Sequence, residues 1–286
     1  MILVTGATGT NGVELLNQLS ASGEPARALV RNPEKAEKAL PPDVQLVRGD
    51  LDNPGALDAA MEEVEKVFLL APVDARQVEL EKNVIDAAVC AGVKHLVKFS
   101  AIHSAADSHS RLLRAHFQTE QNIRAAAIAF TFLRPNVFMQ ELLRQAPSIA
   151  SQGEFYLPFP ASVRLSFLDV RDIAGVAVKA LTEPGHEGKT HTITGSAALR
   201  LDEIASQFST ALGKPVRYVG LTMEQFRQGF AASGAPGWTV DAVCELYETF
   251  VPANSVVTDT IQQITGKPAR PLADFAREHA AVFAKG

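Results

Sequence analysis

Gly6, Gly9 and Gly12 stand at three-residue intervals between the apolar run Met1-Ile2-Leu3-Val4 and the amphipathic stretch Val13-Glu14-Leu15-Leu16-Asn17-Gln18-Leu19. A buried strand that runs into glycines and then into a helix is a βα turn of the dinucleotide-binding kind. Glycine without Cβ permits the tight turn and lets backbone N–H groups approach a pyrophosphate at the positive helix end. The motif predicts that Gly6, Thr8, Gly9, Thr10, Asn11 and Gly12 contact the cofactor.

The end of the second strand selects the dinucleotide. An Asp or Glu about 20 residues beyond the glycines would hold a ribose 2′-OH. Here the strand Ala26-Arg27-Ala28-Leu29-Val30 runs into Arg31-Asn32-Pro33-Glu34-Lys35, with Arg31 where the carboxylate would be. Arg31 offers a planar fork to a 2′-phosphate and Lys35, one turn on, a second charge. The alternative is a solvated arginine before a helix that Pro33 opens. NADPH is the expected cofactor, with NADH weaker.

A chain of 286 residues with 47% hydrophobic and 21% charged content has enough apolar sequence for one large α/β domain and a smaller lobe. The expected division is a dinucleotide-binding domain over 1–150 and a substrate lobe over 151–286, the two partly interleaved. A net charge of −5 without a basic run argues against a nucleic-acid groove or an anionic-membrane patch. No apolar stretch approaches the roughly 20 residues of a membrane span, and Met1 leaves no room before the first strand for a targeting peptide. Two cysteines, Cys90 and Cys244, are too few for a disulfide framework or a Cys-based zinc site. A cytoplasmic, reducing location follows, for a monomer or a homodimer.

Strand-like runs at Val44–Arg48, Val67–Ala71, His95–Phe99 and Phe130–Leu133 continue the alternation, with helical patterns over Gln77–Ala91 and Arg111–Ala127. Gly92 suits a helix end. Six such runs predict a doubly wound parallel sheet in the order 3-2-1-4-5-6. Beyond about residue 135 the rhythm loosens into an α+β lobe, with a helix opened by Asp172 and a short strand near Thr190–Ile193.

Ligands of such a sheet bind beyond the carboxyl ends of its strands. Asp50 and Leu51 follow the third strand, and in the dinucleotide-binding superfamily such a pair usually meets the adenine ring, although Asp50 or Asp52 also suits the start of the helix at Asn53-Pro54. Ala71 and Pro72 lie near a ribose, and Pro135, Asn136 and Phe138 near a nicotinamide. Ser100 ends the fifth strand, either as a hydrogen-bond donor in the site or as a simple cap. His116 and Glu120, at i and i+4, share a helix face, so the carboxylate is placed to orient and charge the imidazole; a surface ion pair is the plain alternative. Phe138, Phe155, Tyr156 and Trp238 are candidates for an aromatic acceptor pocket, and core packing is the competing use of each. No metal site is expected, because no His pairs with another His or Cys at a ligand-like spacing.

Several segments together resemble the NmrA-like branch of the atypical short-chain dehydrogenases. They are the N-terminal glycine turn, the Leu29–Lys35 segment, Gly92–Val97, Thr131–Pro135, Asp169–Ala174 and Thr265–Arg270. Within that branch the chain is most similar to NAD(P)H-dependent quinone oxidoreductases, triphenylmethane-dye reductases and azoreductases. The resemblance implies a Rossmann domain with a small C-terminal lobe closing over the nicotinamide, and hydride transfer to a small, flat, conjugated acceptor. Typical short-chain dehydrogenases carry Tyr-x-x-x-Lys on the helix after the fifth strand, where this chain has His116-Phe-Gln-Thr-Glu120. The tuned acid that an alcohol dehydrogenase needs is missing. A quinone or cationic dye takes hydride into a conjugated system and makes little demand on such an acid.

Two other readings compete. A redox-sensing regulator that binds a dinucleotide and signals to a protein partner needs no catalytic group. A nucleotide-sugar epimerase shares the extended fold but requires the absent Tyr-x-x-x-Lys.

Overall fold

Three residues of β1 (Ile2–Val4) are fully buried, and the strand passes through the buried Thr5 into the glycine turn and α1 (Thr10–Ala21). The structure, a computed structural model, describes residues 1–253 and 255–285. The alternation continues through β2 (Ala26–Val30), α2 (Pro33–Ala36), β3 (Gln45–Arg48), α3 (Pro54–Met61), β4 (Lys66–Leu69), α4 (Gln77–Cys90), β5 (His95–Phe99), α5 (Arg111–Ala125) and β6 (Ala129–Pro135). Gly92, with φ +70°, follows α4 as the helix-ending glycine expected there. Asn32 and Asn53 cap α2 and α3 through their side chains, each with a proline at the first helical position. Asn53, rather than Asp50 or Asp52, therefore caps α3.

The chain divides into two compact units. One comprises Met1–Asp107, Leu113–Pro135 and Ile173–Thr192, and the other Ser108–Leu112, Asn136–Asp172 and Ile193–Gly286. Thus the chain leaves the sheet-bearing unit at Pro135 rather than near residue 150, and comes back to it for a further segment. The sheet has seven strands in the order β3-β2-β1-β4-β5-β6 and then β9 (Lys189–Ile193), with β1 to β6 paired in parallel. The doubly wound order is the expected one. The seventh strand, β9, reaches the β6 edge after α6 (Ala146–Gln152), β7 (Glu154–Leu157), β8 (Arg164–Leu165) and α7 (Val170–Thr182) have passed. Leu3, Leu57, Val67, Leu69, Val84, Leu96 and Phe132 pack the core on one face of this sheet.

Helix α7 opens at Val170, so Asp172 lies in its first turn and is not its cap. Asp169 instead precedes the helix and accepts from the Arg171 N–H at 2.9 Å. The Asp172 carboxylate takes the Arg270 N–H at 2.7 Å and the Arg270 guanidinium.

The second unit holds two small ladders, β8 with β10 (Leu199–Arg200) and β7 with β11 (Arg217–Gly220). Helices α8 (Leu201–Leu212), α9 (Met223–Ala232), α10 (Gly237–Ala253), α11 (Thr260–Thr265), α12 (Leu272–Glu278) and α13 (Ala280–Lys285) complete it. Phe155, Phe208, Phe275 and Phe283, all fully buried, build its core. Among the described residues no helix is long and apolar enough to cross a membrane.

Three histidines of the sheet-bearing unit are kept neutral. His95, at the start of β5, is buried against Thr131 Oγ1 at 2.9 Å, and burial lowers its pKa. His186 Nδ1 meets His191 Nε2 at 3.1 Å; burial lowers His186, and burial with the neighbouring His186 pushes His191 down to about 4. Unfolded imidazoles take protons near pH 6.5, above where these folded ones do, so acid favours the unfolded chain. Their contribution to stability is fully present above pH 6.5 and is lost as the pH falls through their lowered values, which for His191 means towards about 4. For His191 this amounts to no more than about 3 kcal/mol once solvent screening is discounted. Melting temperature should fall over that interval, and His191→Asn should flatten the decline. A melting temperature independent of pH from 6.5 to 4 would contradict these assignments.

Candidate active site

The turn after β1 is shaped by two glycines. Gly6 adopts φ +62°, and a Cβ there would lie 2.8 Å from the Leu70 carbonyl oxygen. At Gly12 a Cβ would sit 2.3 Å from the Gly6 carbonyl oxygen, so α1 approaches the turn as closely as backbone allows. Gly9 precedes α1 at φ −81°, ψ 166°, with no side-chain cap and no acidic residue in the first helical turn. The helix end therefore presents uncompensated N–H groups, and the buried Asn11 Oδ1 has no hydrogen-bond partner. An orphan polar atom beside an open helix N-terminus, in a cradle that a Cβ would fill, fits the dinucleotide expected there. Thr8 and Thr10 are exposed on this turn. Thr5, unremarked in the sequence, braces the cradle: its hydroxyl donates to the Leu70 carbonyl and accepts from the Leu70 N–H, both at 2.9 Å.

Arg31 follows β2 directly and Lys35 lies on α2, both exposed. Among the described residues neither has an acidic partner. The parallel register of β1 with β2, Val4 opposite Ala28, sets the loops after the two strands side by side at one sheet edge. Asp50 is half-buried and accepts the Leu51 N–H at 2.7 Å. Leu51 does not offer its side chain to an adenine, because it is buried in the core with Leu29 and Leu57. Ala71 is half-buried and Pro72 exposed just past β4.

The trio Ser100, Glu120 and His116 separates into two clusters. Glu120 does not hold His116. Its carboxylate, 1% exposed, accepts the Ser100 hydroxyl at 2.6 Å and the Arg134 guanidinium at 2.8 and 2.5 Å. The Ser100 proton is thus spent on Glu120, and Ser100 is itself 1% exposed, so it is not a donor to a bound acceptor. His116 is half-buried. Its Nδ1 faces Lys98 Nζ and Gln77 Nε2, each at 3.4 Å. Burial, then the positive charges of Lys98 and Arg134, hold its pKa well below the ordinary value. The imidazole is neutral at pH 7, contrary to a histidine charged by a carboxylate.

Lys98, Glu81 and Gln77 are site neighbours for which the sequence carries no expectation. Lys98 and Glu81 form an ion pair of 2.7 Å with both side chains 0% exposed. A lysine inside the buried run His95-Leu96-Val97-Lys98-Phe99 was the available signal, since lysine is almost never fully buried unless paired.

In the second unit Pro135's neighbour Asn136 is buried and engaged: its amide donates to Ser166 Oγ at 2.6 Å, and its oxygen accepts the Val137 N–H at 2.8 Å. Pro135 itself is buried. Phe155 is a core residue against Phe208 and Tyr218, not a pocket wall. The Tyr156 hydroxyl faces Glu154 at 2.5 Å and Gln152 at 2.7 Å. Trp238 lies in the first turn of α10, and the Arg111 guanidinium sits 5.8 Å from its ring centroid. Phe138 and Trp238 keep partly exposed rings. No group of three or more His, Cys, Asp or Glu that could hold a metal occurs among the described residues.

A parallel sheet in this order, with a glycine-tight turn into an uncapped helix after its first strand, defines a dinucleotide-binding Rossmann protein. The NmrA-like family model matches residues 1–273, and the chain belongs to that family. It is similar to an NAD(P)H azoreductase of Xenophilus azovorans, 43% identical over 284 residues covering 99% of each chain. The NADPH-dependent quinone oxidoreductase of Escherichia coli, solved with NADPH, aligns with a TM-score of 0.86 and 27% identity over 97% of this chain and 99% of that one. The triphenylmethane reductase of a Citrobacter species, solved with NADP(H), gives a TM-score of 0.85 and 26% identity over 98% and 99%.

Proposed function

We propose that this chain is an NADPH-dependent reductase of small, flat, conjugated acceptors of the quinone, azo or triphenylmethane-dye type. The observation that carries the reading is the full-length 43% identity to an NAD(P)H azoreductase. NADPH, when bound, supplies the hydride. The N–H groups at the start of α1 hold the pyrophosphate, with the Asn11 amide turned to donate its NH₂, and Arg31 with Lys35 holds the 2′-phosphate. Asp50, Ala71 and Pro72 border the adenosine end, whereas Leu51 contributes only backbone. Within the second unit Phe138 and Trp238 are partly exposed aromatic side chains among the candidates for an acceptor ring. His116, neutral and half-buried, meets the acceptor as a hydrogen-bonding group. Orientation and exclusion of water then supply most of the rate. The two cysteines are both free, Cys90 exposed and Cys244 buried, which suits a reducing cytoplasm.

Oxidation of NADPH, followed by the absorbance of the reduced nicotinamide against a panel of quinones, azo compounds and dyes, tests the activity. Turnover with none of them, alongside tight NADP⁺ binding, would replace this reading with that of a dinucleotide-sensing regulator. His116→Ala should lower kcat about tenfold with NADPH affinity unchanged, the size of one lost hydrogen bond in the transition state. Unchanged turnover would remove His116 from the site.

The cofactor preference is tested separately. NADPH should bind more tightly than NADH, and Arg31→Ala should remove about 1.5–3 kcal/mol of that difference. Equal affinity of the unmutated protein for both cofactors by titration calorimetry would overturn the assignment of Arg31.

A further inference from the structure

The buried pair Lys98–Glu81 has no stabilising rationale of its own. Both side chains are fully buried, and Glu81 Oε2 has no hydrogen-bond partner. Two charges taken out of water with one carboxylate oxygen unsatisfied are commonly replaced by apolar side chains without loss of stability. Yet the Lys98 ammonium is completely used. Its three protons face Glu81 Oε1 at 2.7 Å, the Phe99 carbonyl, and His116 Nδ1 at 3.4 Å.

An ammonium has three donors and no acceptor. The nitrogen of His116 that faces it must therefore be the bare one. The other neighbour of Nδ1, Gln77, cannot decide this, because its amide can turn to present either NH₂ or oxygen. The imidazole is neutral, so a bare Nδ1 places its single proton on Nε2. Among the described residues nothing bonds to Nε2.

We propose that Lys98, anchored by Glu81, is a positioning residue that fixes His116 in the Nε2–H tautomer and aims a neutral hydrogen-bond donor at the acceptor. This rests on the reading of His116 given above, and it specifies the chemistry of that residue. A neutral imidazole that gave up its proton would become a strongly basic anion, so Nε2–H polarises the acceptor oxygen or nitrogen and remains protonated. The proton that completes the reduction then comes from water. The positive charges of Lys98 and Arg134 act in the same direction by keeping the ring from charging. Glu120, the carboxylate on the same helix, is occupied by Arg134 and Ser100 and does not offset them.

The test is long-range ¹⁵N–¹H NMR of the imidazoles in the full-length protein, with His116 assigned by the signals missing in His116→Ala. In the unmutated protein Nε2 should carry the proton and Nδ1 none, with no protonation of the ring as the pH is lowered from 8 to 6. In the Lys98→Met/Glu81→Met double variant, which leaves no unpaired buried charge, a substantial Nδ1–H population should appear and the ring should titrate closer to the ordinary histidine range. Its kcat should fall about five- to tenfold with KM for NADPH unchanged, and adding His116→Ala should bring no further loss. A proton on Nδ1 in the unmutated protein, or a tautomer unaffected by the double substitution, would overturn the proposal. A tautomer set and lost as described, with kcat unchanged in both His116→Ala and the double variant, would leave the positioning intact and overturn the role of His116 in turnover.

Discussion

Gly9→Val should abolish measurable dinucleotide binding while leaving the protein folded. Gly9 is exposed, at φ −81° and ψ 166°, a conformation in which valine is comfortable. A Cβ there meets only the Gly6 carbonyl oxygen, at 3.4 Å, an ordinary contact. The substituted side chain stands instead over the N–H groups that open α1, in the space the pyrophosphate needs. Loss of that approach should weaken binding at least about 100-fold, with melting temperature within a few degrees of the unmutated protein. Gly12→Ala should differ in stability. Its Cβ would lie 2.3 Å from the Gly6 oxygen and 2.7 Å from Ala7 Cα, so α1 must shift and stability falls together with binding. Calorimetric titration with NADPH and thermal unfolding of both variants separate the two cases. Retained affinity in Gly9→Val would place the cofactor elsewhere. The strained backbone of the turn belongs to Gly6, so Gly9 is required for the space above it rather than for a positive φ.

The cradle was legible because its requirements are local. Steric limits at Gly6 and Gly12 and the lack of a cap on α1 all fall within a dozen residues, and the cationic end of β2 follows about 20 residues on. The six-strand order followed from the alternation of buried runs and helices. What escaped was non-local. Strand β9 joins the β6 edge only after the chain has left the sheet at Pro135 and returned with α7, and no periodicity announces such a return. The same cause governs α5. The i, i+4 spacing of His116 and Glu120 was read correctly as one helix face, but spacing does not choose partners. Arg134 on β6 and Ser100 after β5 claim the carboxylate, and Lys98 on β5 claims the imidazole. The aromatic candidates divide on burial: Phe155 lies in the core, whereas Phe138 and Trp238 keep exposed surface.

Those partners determine what Glu120 is for, and the largest effect on stability is expected there. The carboxylate is 1% exposed and Arg134 only 23% exposed, so their ion pair is shielded on one side and reinforced by the Ser100 hydroxyl. Glu120→Ala removes the anion, leaves the guanidinium without a counter-charge, and strips Ser100 of its acceptor. Breaking a buried pair from one side typically costs about 3–5 kcal/mol, reduced here to about 2–4 kcal/mol by the partial exposure of Arg134. Melting temperature should drop by about 5–12 °C. Glu120→Gln, which keeps an oxygen for Ser100 or Arg134, should lose roughly half as much. Replacing both partners, Glu120→Met with Arg134→Met, should recover most of the loss, because no charge is then left unpaired. Thermal unfolding of the three variants gives these values directly. Turnover supplies the second axis. Since His116 is set by Lys98, Glu120→Gln assayed well below its melting temperature should retain most of its kcat. A kcat loss as large as that of His116→Ala, with stability unchanged, would return Glu120 to the chemistry of α5 and displace the structural role that its contacts to Ser100 and Arg134 assign to it.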